Sequence, residues 1–183
     1  ARAVSTLRSF FRFLEKEGVV ANSTIQTIRS PKLPQAIPKP FSISEAKDAL
    51  QAFGTLHKTP WIGYRDIALI TLLYGCGLRI SEALNLNAGE IPTDGPLTIL
   101  GKGNKQRLIP LLPVVISSIN QYLRNCPYKL GDQDPLFVGA QGRRLNPGVV
   151  QRQMRKVRTS LGMPDTATPH AFWHSFATHL LAS

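Results

Sequence analysis

Apolar residues spaced three and four positions apart predict a mostly helical chain. The first such run extends from Val4 to Leu14, and Gly18 ends it. A buried helix is predicted where apolar residues dominate from Trp61 to Tyr74. Further helices are predicted at about 23–28, 42–53, 79–86, 113–124 and 146–161, and a last one from 168 to the chain end.

One part of the chain has a β pattern instead. Leu97–Leu100 and Arg107–Leu111 are short runs rich in β-forming residues, and they flank a Gly/Asn turn. Such a pattern predicts a hairpin. The expected fold class is therefore mainly α with a small antiparallel β-sheet, an α+β fold.

A proline-rich stretch separates two predicted domains. Residues 31–40 contain four prolines, which favours an extended, semi-rigid linker over residues 31–41. Residues 1–30 would belong to one domain and residues 42–183 to another. The second would open with a capping box, in which Ser42 is followed three residues later by Glu45.

The charge of the chain points to a polyanionic partner, most often nucleic acid. The net charge is +11 and the sequence pI about 10.2. Residues 101–160 hold eleven Lys/Arg against two Asp/Glu, and residues 1–45 hold seven against three. Two basic regions suggest two faces on one partner, although a merely basic globular protein is the alternative.

Cysteine usage and hydropathy favour a cytoplasmic protein. Cys76 and Cys126 are far apart and form no Cys-x-x-Cys pair, so reduced structural thiols are expected. No signal peptide is evident, and no apolar run approaches the roughly 18 residues of a membrane span. We therefore expect no membrane association.

Three segments carry the candidate chemistry. A glycine-bracketed turn delivers Arg79 to a helix in the run 75–84, a basic hairpin turn occupies 101–107, and a histidine-rich helix occupies 169–181. In this order and spacing they resemble the catalytic segments of tyrosine site-specific recombinases of the phage integrase family, in particular those of the bacterial Xer group.

The resemblance implies an enzyme that cleaves and rejoins double-stranded DNA through a 3′-phosphotyrosyl intermediate, as in chromosome dimer resolution. Subunits would act as a homo- or hetero-tetramer on paired sites, with no metal or other cofactor. Arg79 would grip the phosphate, Lys102 would protonate the leaving 5′-oxygen, and His170 would shuttle a proton. Glu82 and His174 would support the pocket.

Other readings of these residues remain open. Arg79 could simply pair with Glu82, one helical turn away. His170 and His174 have the spacing of a zinc pair, but no general base or third ligand accompanies them. The residues expected to contact DNA phosphates are Lys39, Lys105, Arg107, Arg143, Arg144 and Arg155, although Lys105 and Arg107 could also belong to an ordinary solvated turn.

Two features depart from the resemblance. Trp173 stands where these recombinases have their second arginine, and an indole cannot replace a bidentate guanidinium. The chain ends at Ser183, before the region of the nucleophilic tyrosine. The tyrosines present lie in segments that do not match that region; they are Tyr64, Tyr74, Tyr122 and Tyr128.

These departures define what we expect of the chain itself. Residues 1–30 resemble the tail of a helical core-binding domain, and 42–183 resemble about three quarters of a catalytic domain. We therefore expect this chain alone to be a truncated, inactive form. The alternatives are a DNA-binding or regulatory relative whose catalysis is lost, and a phage or transposon integrase.

Overall fold

The computed structural model describes residues 2–20, 24–28, 42–101 and 106–164. Within them, the predicted fold class is confirmed, because most elements are helices and the strands form one two-stranded antiparallel sheet. A single turn of 3₁₀ helix occupies Ala88–Glu90. The helices are α1 (Arg2–Lys16), α2 (Thr24–Thr27), α3 (Ile43–Thr55), α4 (Pro60–Cys76), α5 (Ile80–Asn85), α6 (Pro113–Asn125) and α7 (Pro147–Ser160), and the strands are β1 (Leu97–Leu100) and β2 (Gln106–Ile109).

Capping residues set where two of these helices begin. The Glu45 amide donates to the Ser42 hydroxyl over 3.2 Å, and the Ser42 amide donates to the Glu45 carboxylate over 2.7 Å. This is the capping box that the sequence predicts for α3. At α7, the side chain of Asn146 accepts from the Gly148 amide over 2.7 Å, with Pro147 in the first turn.

Helix α4 is the centre of the hydrophobic core. It packs against α3 on one side and α6 on the other, and its residues from Ala68 to Leu73 are almost all fully buried. Contact with α6 is close at Gly75, where a Cβ would lie 2.8 Å from a methyl group of Val115. None of the helices described here is long and apolar enough to cross a membrane.

The hairpin turns one face towards this core. Leu97 pairs with Ile109 and Ile99 with Arg107, so these four residues share a face. Leu97, Ile99 and Ile109 are buried there, whereas Leu108 on the other face is 67% exposed. Strand β2 begins one residue before the start of the predicted run and ends two residues before the end of that run.

An irregular stretch also enters the core, where the sequence predicts no element. Leu136, Phe137 and Val138 are fully buried. The stretch is held by isolated antiparallel bridges, Asn87 to Pro135 and Val138 to Arg144. A bridge formed by a single residue pair is too short to produce a repeating pattern of apolar residues, so the sequence pattern does not predict it.

The chain forms two compact units, residues 1–37 and 38–183. In the first unit, Arg8 on α1 donates to the carbonyl groups of Gln26 and Ile28. Leu7, Phe10 and Phe13 on the same helix are 46–57% exposed. The assignment of 1–30 to a core-binding domain and of 42–183 to a catalytic domain stays a prediction.

Candidate functional site around Arg79

A tight turn between α4 and α5 places Arg79 at the surface. Gly77 caps α4 in the left-handed conformation, with φ 58° and ψ 37°, which glycine adopts without a steric penalty. The next residue, Leu78, is fully buried and anchors the turn. Arg79 follows as the N-cap of α5, and its side chain is 55% exposed.

The carboxylate of Glu82 holds two arginines together. It accepts the Arg79 amide over 2.8 Å and the Arg79 guanidinium over 3.1 Å. Arg107, from β2, donates to both carboxylate oxygens over 3.2 and 2.8 Å. The Glu82 side chain is only 10% exposed. The pairing of Arg79 with Glu82, one of the two readings of the sequence, is thus present, and Arg107 joins it.

Glu82 remains ionised in this setting. Burial by itself would raise the pKa of Glu82, but the hydrogen bond from the Arg79 amide and the bonds and charge of Arg107 oppose it, with the Arg79 side chain adding to them. The net result is a pKa below the usual value for a glutamate. Two guanidinium groups and one carboxylate leave this cluster with one net positive charge.

An open cavity of about 600 Å³ lies beside the cluster. Its walls include Arg79 and Glu82 from α5, Glu90 from the 3₁₀ turn, and the end of β1 up to Gly101. Arg79 therefore lines an open space large enough for a phosphate group, and among the described residues its guanidinium is bonded to Glu82 through one nitrogen. In the sequence, Gly101 immediately precedes Lys102, the predicted general acid.

The other end of α5 is held by Arg144. Its guanidinium donates to the carbonyl oxygens of Leu84 over 2.7 Å and Leu86 over 3.2 Å, and to the side chain of Asn87 over 2.6 Å. A cation at the C-terminal end of a helix is favoured by the helix dipole. The sequence did not reveal this role. The predicted contact of Arg144 with DNA stays a prediction.

Helix α7 presents a basic surface. Arg155 is exposed, and its side chain donates to the Gln151 carbonyl of the same helix over 3.4 Å. Arg152 and Lys156 are also exposed on this helix. Arg143, in the turn before the helix, is exposed as well. These side chains can reach a polyanion without breaking a contact within the core.

Sequence analysis missed a buried charged cluster behind this helix. Arg65 donates twice to one oxygen of Asp66, over 2.8 and 2.7 Å, and both side chains are at most 2% exposed. The second Asp66 oxygen lies 3.6 Å from His57, which contacts Gln153 of α7 over 2.8 Å. The sequence did contain a signal for this cluster, because two adjacent charged residues lie inside a helix that is otherwise apolar.

Six predicted site residues, Trp173 among them, lie outside the described part of the chain. The others are Lys39, Lys102, Lys105, His170 and His174. Among the tyrosines, Tyr122 is fully buried, and burial raises its pKa well above the usual value. The Tyr128 hydroxyl donates to the Ala140 carbonyl over 2.6 Å.

The fold is shared with site-specific recombinases and integrases. A structure of the XerH recombinase bound to difH substrate superposes with a TM-score of 0.71 at 24% identity, covering 96% of this chain and 52% of that one. A lambda integrase dimer bound to a COC′ core site superposes with a TM-score of 0.68 at 21% identity, covering 95% and 49%.

Residues 44–183 match the phage integrase family, and the chain belongs to that family. Tyrosine recombinase XerC of Mesorhizobium japonicum is 49% identical over 98% of this chain and 58% of its own length. XerC of Rhodospirillum centenum is 48% identical, over 99% and 53%. The chain thus spans somewhat more than half the length of these relatives.

Proposed function

We propose that the protein to which this chain belongs carries out Xer-like site-specific DNA recombination. The observation that carries the proposal is Arg79, which lines an open cavity and is bonded to Glu82, the carboxylate that Arg107 also engages. A guanidinium held in this way suits the developing charge on a phosphate because it is oriented before the substrate arrives. Relatives named tyrosine recombinase XerC support the proposal.

The roles in the reaction follow the resemblance. Arg79 grips the non-bridging phosphate oxygens, Lys102 protonates the leaving 5′-oxygen, and His170 moves a proton. A tyrosine outside these 183 residues attacks the phosphate and forms the 3′-phosphotyrosyl link. Subunits act as a tetramer on two paired DNA sites, and the natural setting is the cytoplasmic nucleoid.

DNA binding by this chain rests on basic side chains outside the core. Arg143 and Arg155 are exposed, and Lys39 and Lys105 extend the set along the sequence. Contacts to phosphates release counterions, so the logarithm of the binding constant should fall linearly with the logarithm of salt concentration. About four to six contacts predict a slope of roughly −4 to −5.

The test is a fluorescence-anisotropy titration of the chain with a duplex at several salt concentrations. Arg155→Gln should reduce the slope by about one and weaken binding to all sequences alike. Arg124→Gln, an exposed change on α6 with the same loss of charge, is the matched control. A slope near zero would contradict phosphate-dominated binding.

A DNA-binding or regulatory relative without catalysis is the second candidate, and Trp173 favours it. The indole at this position lacks the charge of the arginine found in the resembling enzymes. The full-length protein and its Trp173→Arg variant should be compared on one nicked substrate that traps covalent adducts. The recombinase proposal expects an adduct, increased about a hundredfold by the arginine. No adduct with either form would establish the second candidate.

A further inference from the structure

The side chain of Arg107 makes more bonds to Glu82 than the side chain of Arg79 does. Its two terminal nitrogens donate to the two carboxylate oxygens over 3.2 and 2.8 Å, the parallel arrangement that makes arginine–carboxylate pairs strong. The guanidinium of Arg79 gives Glu82 one bond, over 3.1 Å. Its other donors make no bond to Glu82, and Arg79 is one of the residues that line the cavity.

The Glu82 carboxylate needs such a partner. It is 10% exposed, and burial acts to raise its pKa. Without Arg107, the cation left in contact among the described residues would be Arg79, and the carboxylate would attract the donors that a phosphate in the cavity would need. Arg107 is 39% exposed and lies on the inward face of the hairpin, two residues from buried Ile109. Its guanidinium therefore reaches α5 and not the solvent side of the sheet.

We propose that Arg107 is a positioning residue: it neutralises Glu82 and so leaves the free donors of Arg79 to an incoming phosphate. The inference deepens the proposed function and rests on it. It also changes the expectation from the sequence, in which Arg107 contacts DNA directly. The same pair also ties β2, which follows Lys102 in the sequence, to α5.

The first measurement follows ionisation of Glu82 by carbon-13 NMR of side-chain carboxyl groups. In Arg107→Gln, the titration midpoint of Glu82 should move up, because burial then meets less opposition. Arg107→Lys should give an intermediate midpoint, since a lysine keeps the charge but not the bidentate geometry. Arg124→Gln should leave the midpoint in place. An unchanged midpoint in Arg107→Gln would overturn the proposal.

The second measurement is a double-mutant cycle on duplex DNA affinity. Arg107→Gln should weaken binding about tenfold, the scale of one charge-assisted hydrogen bond. In a Glu82→Gln background, the same change should weaken binding only as much as Arg124→Gln does, about twofold for one screened charge. Equal tenfold losses in both backgrounds would mean that Arg107 contacts phosphate directly, and would overturn the proposal.

The two measurements separate failure of this inference from failure of the proposed function. If the wild-type chain binds no DNA, the proposed function is wrong, and the Glu82 titration still decides whether Arg107 neutralises that carboxylate. If DNA is bound with the expected salt dependence but the two Arg107→Gln losses are equal, the proposed function stands and the positioning role is wrong.

Discussion

Replacing Arg144 by methionine should destabilise the second unit by about 2–3 kcal/mol, because the loss falls on one carbonyl group. The Leu86 carbonyl keeps its bond from the Leu136 amide over 2.9 Å, and Asn87 is partly exposed, so water can replace the guanidinium there. Among the described residues, the bond that the Leu84 carbonyl accepts from another element is the one from Arg144. The amide four residues on, that of Ala88, donates to the Asp134 carbonyl instead.

The magnitude combines two effects. A hydrogen bond to a charged donor contributes about 1.5–3 kcal/mol, and a cation at a helix C-terminus adds about 0.3–1 kcal/mol. Methionine preserves the apolar stem, so little packing is lost. Arg143→Met is the matched control, since it removes the same charge from an exposed neighbour, and its effect should stay within about 0.5 kcal/mol.

Urea unfolding and thermal melting measure the difference. A loss of about 2–3 kcal/mol corresponds to a melting temperature lower by roughly 5–10 °C for a unit of this size. Arg144→Lys should fall between, because lysine keeps the charge but not the planar fork. If Arg144→Met were as stable as Arg143→Met and both lost DNA affinity equally, Arg144 would be a phosphate contact, and the argument from the Leu84 carbonyl would be wrong.

Two further predictions concern the core. Burial raises the pKa of Asp66 from 3.8 to about 6 against the opposing charge of Arg65, so its contribution to stability is full below pH 3.8 and is lost as pH rises through about 6. In a plot of unfolding free energy against pH, Asp66→Asn should remove this pH-dependent decrease, which amounts to about 2–3 kcal/mol in total. A pH dependence identical to that of the wild type would contradict the prediction. Gly75→Ala should cost about 1–3 kcal/mol in urea unfolding, because the new methyl group would lie 2.8 Å from Val115. A second change, Val115→Ala, should reduce that cost, and strict additivity of the two would refute the steric explanation.

Local signals explain why most of the fold was predictable. The Ser42 capping box and the Asn146-Pro147 start each lie within four residues, and the structure has both helices where these signals occur. The turn at Gly77 is equally local, which is why the sequence predicts that Arg79 lies at the start of a helix directly after a turn. Such interactions depend on neighbours in sequence and need no knowledge of the tertiary fold.

The partners of the site residues were not predictable in the same way. Arg107 lies 25 residues from Glu82, and Arg144 lies 60 residues from Leu84. From their charge, both arginines were expected to contact DNA phosphates. The strand period did hold a clue, because Arg107 is two residues from Ile109, and alternate residues of a strand share a face. A charged side chain on the buried face of a hairpin requires a partner within the protein.

The geometry of the site depends on a helix too short to be stable alone. Helix α5 has six residues, far below the about 12–15 at which isolated helices become stable in water. Its position is set at both ends: buried Leu78 and the Glu82 carboxylate fix the start, and Arg144 fixes the end. The backbone of Arg79 is therefore held in place, and under the proposed function this limits the reorganisation needed when a phosphate binds. Changes at Arg107 and Arg144 should therefore act on the same property of Arg79 from opposite ends of α5, although neither residue lies next to it in the sequence.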